Sequence, residues 1–296
     1  MMKIARILCP VDFSDCSRHA LDYAVGIARR HEAQIMALYV LPPIAALLPP
    51  TGEGLYPPIV FSPSDLEQYD EALASFARRS DDATIQTQVV QGVVVGEIVR
   101  VAAALPADLI VVGTHGRSGF DRLMLGSTTE KLLRKAACPV LTVPPHAPDV
   151  APISTLFTRV LCAVDFSPAS LRALTLAESL AGEAGAALCV MHVVEPVSVF
   201  EPVAAGAATP TAAANQRRDA GRRLERLISS DTRAFVATTE LVTSGRASRE
   251  ILREAAERHS DLIVLGAHEG LASLSGIGST TAHVVREAQC PVVTVR

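Results

Sequence analysis

Short, almost uninterrupted apolar runs alternate with longer amphipathic segments along this chain. The runs at 7–11 and 35–41 are typical of strands that are covered on both faces, because a half-exposed strand would alternate apolar and polar residues. Between them, Leu21 and Ala24 keep helical spacing behind Ser14, a residue type that caps helices. The pattern predicts an α/β fold in which helices cover both faces of a parallel sheet.

Strands and helices are predicted in this way along the whole chain. The first part has strands at 7–11, 35–41 and 85–90, one ending at Gly113 and one at 140–143, with helices from Ser14, over 65–79, over 97–104 and from Ser127. The later part has strands at 160–164, 188–194 and 235–242, one ending at Gly266 and one at 292–295, with helices from Ser167, over 216–229, over 249–258 and from Ser279. Proline-rich stretches at 42–63 and 195–210 are interpreted as lids, partner surfaces or disordered loops.

The two parts repeat each other in sequence. Residues 6–14 return as 159–167, and residues 108–115 return as 261–268, both 153 positions later. From Gly126 and Gly278 onward the spacing is 152, so the loop before these glycines is one residue shorter in the second copy. We predict two tandem doubly wound parallel-sheet domains, residues 1–145 and 159–296, joined by a linker at 146–158.

Charge and composition exclude several classes of function. A net charge of −4 does not indicate the basic surface that binds nucleic acid. No apolar run reaches the roughly 20 residues that span a bilayer, and the amino terminus does not resemble a signal peptide, so we expect a cytoplasmic protein without a membrane partner. The six cysteines form no Cys-x-x-Cys pair, which favours buried structural thiols over a metal or redox site.

Candidate chemistry is concentrated in the loop after the fourth strand. The loop reads Gly113, two residues, Gly116, nine residues, and then Gly126 followed by Ser127. Glycines let backbone approach a ligand closely, and a helix that begins at Ser127 offers free amides to an anion. Hydroxyl groups and two arginines in the same segment suit phosphates. The segment contributes Ser127, Thr128, Arg117 and Arg122.

This glycine motif resembles the ATP-binding signature of universal stress proteins, and the chain resembles a tandem member of that family. Residues 10–12 and 138–140 also match the family pattern. The resemblance implies Rossmann-like domains of the adenine nucleotide alpha hydrolase type that bind ATP, with or without Mg²⁺. It implies that Asp12 and Val40 meet adenosine while the glycine loop surrounds ribose and phosphates. The implied first site comprises Pro10, Val11, Asp12, Val40, Gly113, His115, Gly116, Arg117, Gly126, Ser127 and Thr128.

The second copy departs from the motif. Glu269 stands where Gly116 stands in the first copy, neither arginine has a counterpart, and Ala163 replaces Pro10. A carboxylate beside a triphosphate repels it, by about 1 kcal/mol when well solvated. We therefore expect a weaker or vacant second site. It would comprise Asp165, Val193, Gly266, Gly278, Ser279 and Thr280.

Three functions remain open from the sequence. The leading one is an ATP-binding regulator in the stress response, with protein partners that the sequence does not identify. The alternatives are a slow ATPase or phosphotransferase and a scaffold that binds no nucleotide. Asp12 and Asp121 are the candidate acids, and His115 and His268 are interpreted as hydrogen-bonded rather than catalytic, so no catalytic or metal-binding residue is assigned. The family resemblance further implies an intrachain pseudo-dimer joined through the last strands, with further homodimerisation left open.

Overall fold

The computed structural model describes residues 4–43, 63–78, 85–116, 125–150, 156–195, 210–267 and 277–296. The chain folds into two compact units that divide between Pro145 and His146. Each unit alternates strands and helices around a parallel sheet, so the predicted α/β class is confirmed.

The first unit has five described strands in the order β3-β2-β1-β4-β5, and the listed neighbours are parallel. Helices follow four of the strands and cover the sheet. In chain order the elements are β1 (Arg6–Val11), α1 (Asp15–His31), β2 (Gln34–Leu41), α2 (Pro63–Ala77), β3 (Ile85–Gln91), α3 (Val94–Ala104), β4 (Leu109–Gly113), α4 (Ser127–Lys135) and β5 (Val140–Val143).

The second unit repeats this order, with described strands arranged β10-β9-β6-β7-β8 and parallel pairing throughout. Its elements are β6 (Arg159–Ala163), α5 (Pro168–Ala184), β7 (Ala187–Val194), α6 (Pro210–Leu227), α7 (Ser230–Phe235), β8 (Thr238–Ser244), α8 (Ala247–Glu257), β9 (Leu262–Gly266), α9 (Ser279–Glu287) and β10 (Val292–Val295).

The first helix of each unit begins at the predicted cap. The Ser14 side chain accepts a hydrogen bond from the amide of Ser17, and Ser167 does the same for Ser170. The caps satisfy amides that have no partner inside the helix, and they start each helix directly after the first strand. The central strands β4 and β9 are buried along almost their whole length, as expected of strands covered on both faces.

The strand order locates the crevice of each unit. The chain winds outward from β1 through β2 to β3 and then returns to the other side of β1 as β4. Helices on either side of this switch point lie on opposite faces of the sheet, which leaves a crevice at the carboxyl ends of β1 and β4. In the second unit the same point lies between β6 and β9.

The described elements differ from the predicted ones mainly before β8. A strand was expected from Phe235, but residues 230–235 form the short helix α7, and Phe235 is 85% exposed. Ser229 caps this helix by accepting the amide of Thr232 at 3.0 Å. The strand begins only at Thr238, because the capped helix continues as far as Phe235. Helix α6 also starts six residues earlier than the predicted 216.

The structure describes only part of the two proline-rich stretches and of the predicted linker. The stretches 44–62 and 196–209 lie outside the described residues, as does the middle of the linker at 151–155. In the described remainder of the linker, Ala147, Leu156 and Phe157 are buried. The residues from His146 onward belong to the second compact unit.

All six cysteines lie in the described residues, and none of them forms a disulfide bond. Burial raises the pKa of the Cys138 thiol to about 11 and that of Cys290 to about 12, so both are neutral near pH 7. Cys162 and Cys189 are buried, and their thiol pKa values are also raised by burial. Among the described helices, none has the length and apolar character needed to cross a membrane.

Candidate functional site

A cavity of about 360 Å³ occupies the crevice of the first unit. This volume lies within the range of small-molecule pockets. Its walls are the carboxyl ends of β1, β2 and β4, the start of α3 and the first turn of α4. Every predicted residue of the first site that the structure describes lines this cavity. They are Pro10, Val11, Asp12, Val40, Gly113, His115, Gly116, Gly126, Ser127 and Thr128.

The structure also adds residues that the loop motif does not contain. Leu38, Tyr39 and Pro42 line the cavity from β2 and its exit, and Val94 and Ile98 line it from α3. In the sequence, only their positions at the end of the second strand and at the start of the third helix could have indicated that they belong to the site. Arg117, Arg122 and Asp121 of the predicted loop lie outside the described residues.

Asp12 is held at the mouth of the cavity by the turn between β1 and α1. The amide and hydroxyl of Ser14 both donate to Asp12 Oδ1, at 3.1 and 2.5 Å. Phe13 between them has a φ of 63°, which is unusual for a bulky residue. Phe166, its counterpart in the second unit, has a φ of 64°, so this turn belongs to the fold of both units.

At each of the three glycines of the motif, a side chain would collide with a different neighbouring group. A Cβ at Gly113 would lie 3.0 Å from the carbonyl oxygen of Cys16, in the first turn of α1. A Cβ at Gly116 would lie 2.7 Å from Asp12 Oδ2, and one at Gly126 would lie 3.0 Å from the carbonyl oxygen of Thr114. The glycines were expected to admit a ligand. The structure shows that they also let α1, Asp12 and the helix start approach the loop.

Helix α4 presents its amino terminus to the cavity. The amide of Gly126 donates to Thr114 O at 2.8 Å, and the Thr129 hydroxyl donates to Gly113 O at 2.8 Å. These bonds fix the helix start against the end of β4. Among the described residues, no side chain caps α4, and the hydroxyls of Ser127 and Thr128 lie at the same end. Uncapped amides together with the helix dipole favour an anion here.

His115 brings a buried polar atom to the cavity. Its Nδ1 lies 2.9 Å from the Thr114 hydroxyl, whereas its buried Nε2 has no hydrogen-bond partner among the described residues. The backbone of His115 also faces the Cys16 thiol and lowers its pKa, although burial and the nearby Asp12 raise that pKa by more. Cys16 is therefore a neutral thiol near pH 7 and a poor nucleophile.

Aromatic rings support the β2 wall of the cavity. Tyr39 lies between Phe13, at 4.6 Å between ring centroids, and Tyr69 of α2, at 5.3 Å. Phe13 also contacts Phe76 edge to face at 5.5 Å, and the Arg18 guanidinium lies 4.0 Å above the Phe76 ring. The cluster connects α2 to the turn that holds Asp12, so the wall and the carboxylate are positioned together.

The model of the universal stress protein family matches residues 3–144 and 156–296. The chain belongs to the universal stress protein family. A universal stress protein of Mycolicibacterium smegmatis is 30% identical over 301 residues, which cover 98% of this chain and 96% of the relative.

Two further relatives agree with this assignment. A universal stress protein of Methanocaldococcus jannaschii is 36% identical over 142 residues, 47% of this chain and 81% of its own length. The crystal structure of a universal stress protein from Archaeoglobus fulgidus has a TM-score of 0.70 at 24% identity, and the match covers 98% of this chain and 96% of that one. The last comparison shows a shared fold. Each unit is thus a universal stress protein domain.

The second universal stress protein domain keeps part of this arrangement. The Ser167 amide donates to Asp165 Oδ1 at 2.9 Å, and the Thr281 hydroxyl donates to Gly266 O at 3.1 Å. A Cβ at Gly266 would lie 2.4 Å from the Ser170 amide nitrogen, so this glycine admits α5 as Gly113 admits α1. Asp165 is exposed, and Glu269 lies outside the described residues.

The remaining residues predicted for the second site occupy equivalent positions. Val193 is partly exposed on β7, and Gly278 precedes α9, which begins at Ser279 and Thr280. His192 replaces Tyr39 of the first unit, with Nδ1 2.8 Å from Val164 O and its ring 4.6 Å from Phe166. The Arg223 guanidinium lies 3.7 Å above the Phe166 ring. The turn and the helix start are therefore retained, while the wall beside them has changed.

Proposed function

We propose that the first domain binds ATP and that the protein acts as a nucleotide-dependent regulator in the stress response. The observation that carries the proposal is the cavity at the switch point of the first sheet, which is lined by predicted site residues from three strands and a helix start. Family membership supports it, since the glycine motif of this cavity resembles the ATP-binding signature of universal stress proteins.

The residues of the cavity fit an adenine nucleotide. The uncapped start of α4 and the hydroxyls of Ser127 and Thr128 would hold phosphates. Asp12 would accept hydrogen bonds from ribose hydroxyls, and apolar side chains such as Val40 would enclose the base. The buried Nε2 of His115 lacks a partner among the described residues and would gain one from the ligand.

We propose that any bound Mg²⁺ is held mainly by the phosphates. Among the described residues, no three His, Cys, Asp or Glu side chains form a group that could hold a metal ion. In this proposal the chain supplies amides, hydroxyls and charge, which bind the ground state about as well as the transition state. Binding of that kind does not raise the turnover rate. We therefore expect hydrolysis on the order of once per minute or slower, against roughly 1–10³ s⁻¹ for typical enzymes.

Mass spectrometry of nucleotide released from the freshly purified protein tests the proposal most directly. We expect ATP or ADP to be retained, and calorimetry with ATP, ADP, AMP, cyclic AMP and GTP to show one adenine-selective site per chain. A protein that retains no nucleotide and gives no binding heat with any of these compounds would favour the scaffold alternative. Turnover of several ATP per second that is lost in Gly126→Asp would favour the enzyme alternative.

A further inference from the structure

Helices α2 and α6 occupy equivalent places in the two units but carry opposite charge. Each follows the second strand of its unit and packs against the outermost strand of its sheet, α2 on β3 and α6 on β8. Within α2, four residues are acidic and none is basic. Within α6, five residues are arginines, against one aspartate and one glutamate. The repeat therefore places an acidic helix in the first unit and a basic helix in the second.

The acidic side chains of α2 share one flank of the helix. Glu67, Asp70 and Glu71 are three and four positions apart, the spacing that makes side chains neighbours on a helix. All three are exposed, whereas Leu73 and Phe76 of the same helix are buried. Among the described residues, no ion pair involves these three carboxylates. The three residues form an acidic stripe whose like charges repel one another.

The arginines of α6 form a stripe of the opposite sign. Arg218, Arg222 and Arg226 recur at every fourth position and are exposed. Arg222 pairs with Asp219, and Arg218 donates to Asn215 Oδ1 at 3.2 Å, but no described side chain pairs with Arg226. A single carboxylate thus pairs with the three guanidinium groups of this basic stripe. Repulsion between like charges four positions apart remains.

Other helices of the chain neutralise their charges internally. On α8, Arg253 pairs with Glu250 and Glu257, each at 2.8 Å, and on α3, Arg100 pairs with Glu97 at 2.7 Å. These pairs join residues three or four positions apart, where opposite charges stabilise a helix. The acidic and basic stripes lack this arrangement, so their charges are available to an external surface of opposite sign.

A second copy of this chain offers the charge that each stripe lacks. The acidic stripe spans about 6 Å of helix axis and the basic stripe about 12 Å, so the long arginine side chains can reach all three carboxylates. Each copy carries both stripes, and a two-fold dimer makes the contact twice. The repetition matters because each exposed ion pair contributes little by itself. Nucleic acid or an anionic membrane would pair with the basic stripe and leave the acidic stripe without a partner.

We propose that the acidic stripe of α2 docks on the basic stripe of α6 in a second copy of the chain, and that the protein self-associates through this contact. The inference goes beyond the proposed nucleotide site and does not depend on it. Because the contact consists of exposed charges, salt should weaken it.

Sedimentation velocity of the full-length protein tests the proposal. We expect a dimer at about 20 mM NaCl and a dissociation constant about ten-fold or more higher at about 300 mM, because salt screens exposed charges. Two charge reversals, Glu67→Arg with Glu71→Arg and Arg222→Glu with Arg226→Glu, should each give a monomer at low salt. An equimolar mixture of the two variants should associate again, because each stripe then meets the opposite charge in the other variant.

The matched control is Arg246→Glu with Arg249→Glu, which changes the net charge as much as the reversal on α6, also at exposed positions. It should leave the association unchanged, and circular dichroism reports whether every variant is folded. The neutral pair Arg222→Gln with Arg226→Gln should weaken association without recovery on mixing. A wild-type monomer at low salt would overturn the proposal, and so would association that survives both reversals or a mixture that does not recover.

The alternative partners of the basic stripe give a distinct result. Binding of duplex DNA or of vesicles containing phosphatidylserine, lost in Arg222→Glu with Arg226→Glu while the wild-type chain stays monomeric, would assign the basic stripe to an anionic surface and overturn self-association.

Discussion

The two crevices of this protein have the same topology but different walls. Both lie at a switch point, and both have a capped turn after the first strand and a glycine that admits the first helix. In the first unit Tyr39 and Gly116 line a cavity, whereas in the second His192 stands in place of Tyr39 and Glu269 in place of Gly116. The comparison teaches that the fold of a universal stress protein domain and its capacity to bind a ligand depend on different residues.

The glycines show the difference between residues that serve the fold and residues that serve ligand binding. Gly113 and Gly266 occur in both units and pack a helix against a strand, so they serve the fold. Gly116 lies against Asp12 and has Glu269 as its counterpart in the sequence, so it serves the site. Loss of the first kind should lower the stability of a unit, and loss of the second kind should weaken binding while the unit stays folded.

The largest effect on binding is expected from Gly116→Glu. A Cβ here would lie 2.7 Å from Asp12 Oδ2, and the added carboxylate would face both Asp12 and the phosphates. We expect ATP affinity to fall about 100-fold or more, because repulsion adds to the steric conflict. Calorimetry measures this, with Gly96→Glu on an exposed face of α3 as the control for added charge. Unchanged affinity in Gly116→Glu would show that this loop does not contact the nucleotide.

Stability should respond to the packing glycines in both units. Gly266→Ala places a Cβ 2.4 Å from the Ser170 nitrogen, and Gly113→Ala places one 3.0 Å from the Cys16 oxygen. We expect each to lower the free energy of unfolding by about 1–3 kcal/mol, with the larger loss for Gly266→Ala.

Chemical denaturation checks this order against a glycine that packs against nothing. A Cβ at Gly221 in α6 has no atom within 4 Å, so Gly221→Ala should raise stability by about 0.5–1 kcal/mol. If Gly266→Ala and Gly221→Ala had the same effect, the close approach of α5 to β9 would not be a packing constraint.

A smaller effect is expected from neutralising the carboxylate at each turn. Asp12→Asn keeps an oxygen that can accept from Ser14 but replaces charged hydrogen bonds to the ligand with neutral ones. We expect ATP to bind about three- to ten-fold more weakly, the usual difference between the two kinds of bond. The matched change Asp165→Asn should leave the measured affinity unchanged. Equal losses from both changes would indicate two sites of similar quality and contradict the proposed asymmetry.

The smallest effect is expected from Glu269→Gly. It restores a glycine at the motif position, but the loop stays one residue short and still lacks counterparts of the two arginines of the first loop. We expect no second equivalent of ATP in a calorimetric titration of this variant. A second binding event would show that the charge of Glu269 alone limits the second unit.

Much of the fold follows from patterns that act over short distances. Continuous apolar runs at 7–11 and 35–41 give strands covered on both faces, and Ser14 and Ser167 start helices where predicted. The repeat predicts two similar domains, and the chain divides at 145 and 146. The predicted start of a strand at Phe235 was wrong, because the cap at Ser229 begins a short helix that includes Phe235.

The candidate site was only partly visible in the sequence. The glycine motif was predicted from its spacing, and Asp12 from the resemblance to universal stress proteins. Tyr39, Val94 and Ile98 were missed, since they line the cavity through their places on β2 and α3. Apolar residues at such places cannot be told from core residues until the strands are arranged side by side.

The sequence by itself determined the elements, the repeat and the loop chemistry, because each depends on residues close together in the chain. Only the tertiary structure decided what each residue faces. Pro10 reads as one more strand residue until the register shows that its missing N–H is directed at β4, about 100 positions away along the chain. Hydrogen bonding between strands is a long-range property, so only the tertiary structure decides which neighbouring strand lies beside a residue that cannot donate.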